Sequence, residues 1–414
     1  MNARRPSDTT HDQEGSMPTQ TKIQTATFNQ TVNAPVKHVF EAFTNATLIC
    51  EWFCDDAQLE ARPDGRAYLY WREPSFYAMG EFLEVSQNEF IKLRWQDKDT
   101  PQAQDVRLQF LERDGQTDVS VVFDGPVSDQ LAQRWKRGLN VLRSTQETGY
   151  HLDDLERPML GVMAGAIITA ANAAAHKVPV KYGVVLSGVV PGHAAERAGL
   201  QANDVIVRFD GQDMRPQERD LFGLLAQRKA GDVIEVEYVR DGQAHSTKVK
   251  LMSRPMFDYP STLAELADQR EQPFTEANRE LEALFAGASE RDASAKPDPE
   301  RWSANEVIAH LINTERDAQT FIASLAVGTE LEVFSGNLDA RVTATARRYG
   351  TTAALLKALQ DTHAETSEMI RHLPKAFLER RASVVRLQLS AQVAAFHTRH
   401  HFAQITRALQ DARA

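Results

Sequence analysis

The sequence predicts a multidomain α+β protein: an α/β sheet domain closed by a long helix, then a small β-rich module, then an all-α four-helix bundle. Three observations carry this reading. The 414 residues exceed one ordinary core and suit two to four compact units. Alternating segments run from Ile23 to about Gly149 and again from Leu160 to Leu251, and the periodicity turns purely helical after Thr262. The joints HLDDLERP and SRPMFDYPS carry the prolines expected of linkers. The three segments differ in period and composition, so they read as different folds in series, without an internal repeat.

Composition narrows the function classes. Hydrophobic residues make up 42% and charged residues 25%, enough apolar side chains to fill several cores. Residues 1–21 are polar and read as a mobile tail. The net charge is −10 with Lys and Arg spread along the chain, so no basic stripe points to nucleic acid as a partner. No apolar run follows the arginines near the N-terminus and no stretch approaches the length of a membrane span, so no membrane partner is expected and the expected location is cytoplasmic. Cys50 and Cys54 are the only cysteines, four residues apart beside Trp52. They suit a reducing compartment and read as two small packed thiols in preference to a metal or redox pair.

In the first domain, 22–150, the strand-like KIQTATFNQTV precedes APVKHVFEAFT, whose Val36, Val39, Phe40 and Phe43 lie at helical spacing, and the short helix LICEWF. A meander of alternating stretches follows, from GRAYLYW to TDVSVVF, with turns such as ERDGQ. A final helix, SDQLAQRWKRGLNVLRSTQE, carries Leu131, Trp135, Leu139 and Leu142 on one face. This order, with the phrases APVKHVFEAFTNATLICEWF and RWKRGLNVLRSTQE, resembles the START-related SRPBCC superfamily, in the branch of the heat-shock-chaperone ATPase activator. The resemblance implies a helix-grip fold with an apolar cavity for a small ligand. Trp52, Trp71, Tyr77, Trp95 and Trp135 are the candidates to line it.

The second segment, 157–255, runs strand, tight turn, short helix, glycine, strand and turn. Gly199 ends the helix AAERA, where positive φ is wanted, and Gly211 follows Asp210 in a turn between strands. VIEVEYVRDGQAHSTKVKL reads as a hairpin turning at Asp241 and Gly242. The phrase PGHAAERAGLQANDVIVRFDG closely resembles the bacterial PDZ domain, a partly open β-barrel. That resemblance implies that a peptide or protein C-terminus adds a strand beside the sheet, with Met159, Leu160, Gly161 and Val162 as the loop that holds its carboxylate and the helix RDLFGLLAQRK as the second wall.

The third domain, 262–414, contains four expected helices at about 262–287, 303–325, 350–373 and 388–410. Ser303 and Glu306 form a capping box, and Trp302 is placed to staple onto Val307. His397 and His401 are one helical turn apart and share a face, so two imidazoles can hold one cation. Alone, two histidines at this spacing are more often a surface pair. RWSANEVIAHLINTE followed by HTRHHFAQI is similar to the DinB-like family, whose bundles place three histidines around a metal. The resemblance implies His310, His397 and His401 as ligands of a divalent ion, zinc or nickel, with an open coordination position. Glu306 and Gln404 are placed to orient a ligand imidazole. His400, His363 and His372 read as packing or surface residues.

Two functions follow. One is a cytosolic binding protein with a small apolar ligand, a peptide partner and a metal site that supports activity or structure. The other, implied by the DinB-like resemblance, is a metal-dependent thiol S-transferase acting in detoxification or stress response, for which no catalytic base is identified. A third reading leaves the bundle without metal and serving homodimerisation.

Overall fold

A computed structural model describes residues 25–73, 75–100, 102–215, 221–329 and 338–413 of the chain. The tail expected over residues 1–21 lies outside the described residues. The first domain is a seven-stranded antiparallel sheet with helices packed on one face. Its elements are β1 (Ala26–Val32), α1 (Val36–Thr44), α2 (Ala46–Cys50), β2 (Asp56–Leu59), β3 (Arg66–Trp71), β4 (Phe76–Ser86), β5 (Phe90–Asp97), β6 (Gln104–Arg113), β7 (Gln116–Phe123) and the long α3 (Asp129–Thr148). The sheet order is β1-β7-β6-β5-β4-β3-β2, a meander with β1 added beside its last strand. Alternation sets the inner face: Thr117, Val119, Val121 and Phe123 of β7 are buried and their neighbours are not. Leu131, Trp135, Leu139 and Leu142 of α3, all buried, complete that core. Ser128 caps the start of α3, and the helix ends at Gly149, whose φ of +83° favours glycine.

A short helix, α4 (Leu152–Glu156), bridges to the second domain, which comprises β8 (Pro158–Met159), β9 (Val162–Ile167), β10 (Val184–Val189), α5 (Ala194–Arg197), β11 (Val205–Phe209), β12 (Gln212–Asp213), α6 (Leu221–Leu225), β13 (Val233–Arg240), β14 (Gln243–Lys250) and β15 (Met252–Ser253). The main sheet runs β14-β13-β11-β10-β9, with β12 paired to β11, so β9 is an edge strand. The hairpin of β13 and β14 turns at Asp241 and Gly242, both at positive φ, as the Asp-Gly pair predicts. Gly199 at φ +82° ends α5, and Asp210 and Gly211 turn the chain between β11 and β12. β8 pairs with β15, which closes the two ends of this module on each other.

The third domain is helical: α7 (Leu263–Leu284), α8 (Glu290–Ser294), α9 (Ala304–Val327), α10 (Asp339–Tyr349), α11 (Thr352–Arg371), α12 (Arg381–His400) and α13 (Phe402–Arg413), with a 3-10 turn at Lys375–Glu379. Four long elements form the bundle, as expected. The fourth departs from the expected 388–410: it starts at Arg381 and breaks at His401 into α12 and α13. α10 lies outside the four expected helices: its sequence is mostly polar, and only Val342 and Thr345 of its eleven residues are buried.

The bundle core has two apolar clusters, one around Val307, Ile308, Leu355 and Ile405, the other around Leu266, Ile322, Ile370 and Leu387. The same helices also bury a polar network. The Arg270 guanidinium pairs with Glu315, and the Thr366 hydroxyl donates to the same carboxylate. Nearby, His363 Nδ1 lies 3.0 Å from Asn278 Oδ1, and Arg270 stacks 4.3 Å from the Phe274 ring centre. Burial disfavours both charges of the Arg270–Glu315 pair, and their contact offsets part of that cost.

The first domain also packs against the bundle through α3 and α12. A Cβ on Gly149 would lie 2.8 Å from Val385 Cγ2 and 2.9 Å from the Arg381 carbonyl oxygen, so this glycine serves the contact as well as its own positive φ. Beside it, buried Glu51 accepts a hydrogen bond from the Ser383 hydroxyl of α12.

Candidate metal centre

The site begins with a well-determined helix start. The Ser303 hydroxyl accepts from the Glu306 backbone N–H at 3.2 Å, and the Glu306 carboxylate accepts from the Ser303 N–H at 2.9 Å. This capping box fixes the first turn of α9, and His310 lies one turn after Glu306, 5% exposed. His397 lies in the last turn of α12 and His401 is its C-cap residue. There the helical bonding loosens, with His401 N 3.4 Å from the His397 carbonyl and 3.2 Å from that of Thr398.

The three imidazoles converge through their Nε2 atoms. His310 Nε2 is 3.5 Å from His397 Nε2, and His397 Nε2 is 3.0 Å from His401 Nε2. Among the described residues this is the one group of three or more His, Cys, Asp or Glu side chains whose ligand atoms lie within 4.8 Å of one another. Nitrogens held about 2.0–2.1 Å from a tetrahedral ion stand roughly 3.3–3.4 Å apart, and the observed separations bracket that figure. The donor set therefore fits a metal ion.

Electrostatics agree with the geometry. Burial, followed by the neighbouring imidazoles of His401 and His397, pulls the His310 pKa down to about 4. Burial, followed by His401 and His400, does the same for His397, also to about 4. Burial lowers that of His401 as well, against the raising effect of its bond to Gln404. The lowering at all three rings favours the neutral imidazole, the form that donates a lone pair to a metal. His401 Nδ1 lies 2.7 Å from Gln404 Oε1; with Nδ1–H as donor, the Nε2 lone pair is left facing the cluster. The Nδ1 atoms of His310 and His397 are buried without a hydrogen-bond partner.

Other expected residues are distributed differently. The Glu306 carboxylate, expected to orient a ligand imidazole, serves the helix cap and pairs with Lys296 at 3.1 Å. Trp302 does more than staple the helix, because its ring lies 5.1 Å from that of His310 and its Nε1–H donates to Asp339 at 3.1 Å. The one sequence signal for this wall of the site is that Trp302 stands eight residues before His310. His400 is exposed, His363 is buried in the polar network, and His372 is exposed, none of them in the cluster.

In the first domain Trp52, Trp71, Trp95 and Trp135 are all buried. They interlock with phenylalanines, Trp135 lying 4.4 Å from Phe53 and 6.1 Å from Trp95 between ring centres. Tyr77 departs from the expected cavity lining: its neighbours Phe76 and Ala78 point inward, so strand alternation turns Tyr77 outward, 38% exposed. Trp52 and Trp71 edge a cleft of about 470 Å³ whose other walls include Arg134 and Arg137. In the second domain Leu160 is buried, Gly161 has φ +77° and Val162 opens the edge strand β9. The expected second wall is helical over α6, and residues 216–220 before it lie outside the described residues.

Comparison with known proteins follows the same division. Residues 33–147 match the family described as Activator of Hsp90 ATPase homolog 1-like protein, residues 162–251 the PDZ domain, and residues 274–405 the DinB superfamily. The chain is 35% identical over 99 residues to a probable periplasmic serine protease do/HhoA-like of Haemophilus influenzae, covering 24% of this chain and 21% of that protein. It is also 35% identical over 69 residues to the serine protease Do-like HtrA of Bacillus subtilis, covering 17% and 15%. It thus spans about a fifth or less of the length of these relatives. The solution structure of the Aha1 dimer from Colwellia psychrerythraea is similar at 12% identity and a TM-score of 0.27, covering 30% of this chain and 96% of that one. The chain combines an AHSA1/START-like domain, a PDZ domain and a DinB-like domain with a candidate three-histidine site.

Proposed function

We propose that this chain is a binding protein whose DinB-like domain holds one divalent ion, zinc or nickel, through His310, His397 and His401. The observation that carries the reading is the convergence of the three Nε2 atoms, with neighbouring separations of 3.0 and 3.5 Å. A bound ion of this class supplies Lewis acidity at a position the protein leaves open. The chain's own residues do the rest: Gln404 sets the His401 tautomer and Trp302 covers His310. In the same reading the PDZ domain takes a peptide or protein C-terminus beside β9, and the cleft edged by Trp52 and Trp71 takes a small ligand. The test is elemental analysis of the purified full chain beside His401→Ala. One ion per chain in the parent and a large loss in the variant are expected; negligible metal in both would sink the reading.

A second reading, thiol S-transfer, is favoured by the three-ligand count, which leaves room for a thiolate. A chelator-sensitive reaction between an electrophile and a small thiol, lost in His401→Ala, is its expected signature. Absence of such turnover across a broad panel of thiols and electrophiles would leave the binding role alone.

A further inference from the structure

The two cysteines of the first domain lie together at the edge of the cleft. Cys50 is the last residue of α2, and the last helical bond beyond it runs from the Phe53 N–H to the Ile49 carbonyl at 2.9 Å. Cys54 therefore leaves the helix and enters the irregular segment before β2, and its Sγ comes to rest 3.9 Å from that of Cys50. Neither residue is in a disulfide. Cys50 is partly exposed and Cys54 is 7% exposed, and both line the cleft with Trp52, Trp71, Arg134 and Arg137.

The segment that carries them is tied down on both sides. The Trp52 indole N–H donates to the Ala42 carbonyl at 3.0 Å, the Trp71 indole N–H donates to the Phe53 carbonyl, and the Asp55 N–H donates to the Tyr70 carbonyl at 2.9 Å. Between the two cysteines, Glu51 turns away from the cleft to accept from Ser383 of α12 at 2.6 Å. The thiols thus face solvent-accessible space while the residue between them holds the bundle.

We propose that Cys50 and Cys54 form a reversible thiol–disulfide site in the wall of this cleft, with Cys50 as the attacking thiol and Cys54 as the resolving one. The asymmetry in exposure assigns the roles: an oxidant in the cleft reaches Cys50 first. The hydrogen bond to Cys50, and then burial, raise the Cys54 thiol well above its ordinary range, so it is not the thiol that attacks first. With a peroxide as oxidant, the Cys50 thiolate attacks one peroxide oxygen, an S–O bond forms as the O–O bond breaks, and hydroxide leaves to become water. Cys54 Sγ then attacks the Cys50 sulfur, displaces its hydroxyl and gives up its proton, which leaves with that hydroxyl as water. The balance is two thiols and one hydrogen peroxide to one disulfide and two waters; the sulfurs are oxidised and the peroxide reduced. A dithiol reductant reverses the change by exchange.

The full chain, kept with chelator and treated with hydrogen peroxide, is quenched with an alkylating agent under denaturing conditions and weighed by mass spectrometry. The expected result is joint loss of both alkylation sites, a mass lower by two hydrogens, and recovery of both sites with dithiothreitol. In Cys54→Ser, Cys50 should instead accumulate a sulfenic acid trapped by dimedone, while Cys50→Ser should give no dimedone adduct. Two alkylatable cysteines in the parent after exposed methionines have oxidised would overturn the proposal. So would Cys50 advancing to the sulfinic acid with Cys54 still free. The parent protein alone decides between these outcomes, so the test survives a variant that fails to fold.

Discussion

Glu51 and Ser383 meet across the boundary between the first domain and the bundle: the Ser383 hydroxyl donates to the Glu51 carboxylate at 2.6 Å, with both residues buried. The contact joins the segment between Cys50 and Cys54 to α12, the helix that ends in His397 and His401. Arg386, also on α12, stands 3.7 Å from the same carboxylate.

Ser383→Ala removes one donor from a buried charged acceptor. It should lower the unfolding free energy by about 1–3 kcal/mol, the usual cost of leaving such a group less well satisfied. Urea denaturation of the parent and variant measures it, and an unchanged midpoint would show that the domains do not rely on this bond.

Gln404→Ala leaves all three ligand imidazoles in place but removes the acceptor at His401 Nδ1. Metal affinity should fall roughly 10–100-fold, the common effect of deleting a partner of a ligand histidine. Competition with a chromophoric chelator reads the change. Equal affinities would place Gln404 outside the site's function.

His363 makes stability depend on pH. Burial, and then Arg270, holds its folded pKa near 3 against the ordinary 6.5. Between those values the unfolded chain binds a proton that the folded chain refuses, so stability is fully present above about pH 6.5 and is lost as pH falls, by at most about 1.4 kcal/mol per unit. The pH profile of His363→Gln, taken beside the parent in the presence of chelator, should be shallower by the contribution of one histidine, the remaining slope coming from the other buried imidazoles, His310, His397 and His401. Parallel profiles would contradict the assignment.

Gly161→Ala should destabilise the PDZ domain by more than about 1 kcal/mol, since an L side chain is strained at φ +77° and its Cβ would lie 2.3 Å from His193 Cβ. Hydrogen exchange should show lost protection in β9 and β10 with the bundle helices unchanged. Undiminished protection in β9 would mean that the loop absorbs the side chain without cost.

Much of the candidate site was legible because it rests on local rules. The capping box at Ser303 and Glu306 is a pattern three residues long, and the structure forms it. His397 and His401 are one helical turn apart, and a helix brings their Nε2 atoms to 3.0 Å. The turn at Asp241 and Gly242 follows equally from what two residues can do at positive φ. Glu306 shows the limit of that logic. Its position one turn before His310 suited two roles, and the helix cap with Lys296 took the carboxylate.

Three folds in series, their sheet and helix periods and the spacing of the paired histidines are legible in the sequence, because each leaves a local pattern of residues. Tertiary structure decided which distant groups meet. It brought His310 within 3.5 Å of His397, laid Trp302 over His310, and set Arg270 against Glu315 inside the bundle. It also turned Tyr77 outward and carried Ser383 to Glu51. Each outcome depends on how helices and strands dock, and docking is set by the summed shape of many side chains, which no local spacing records.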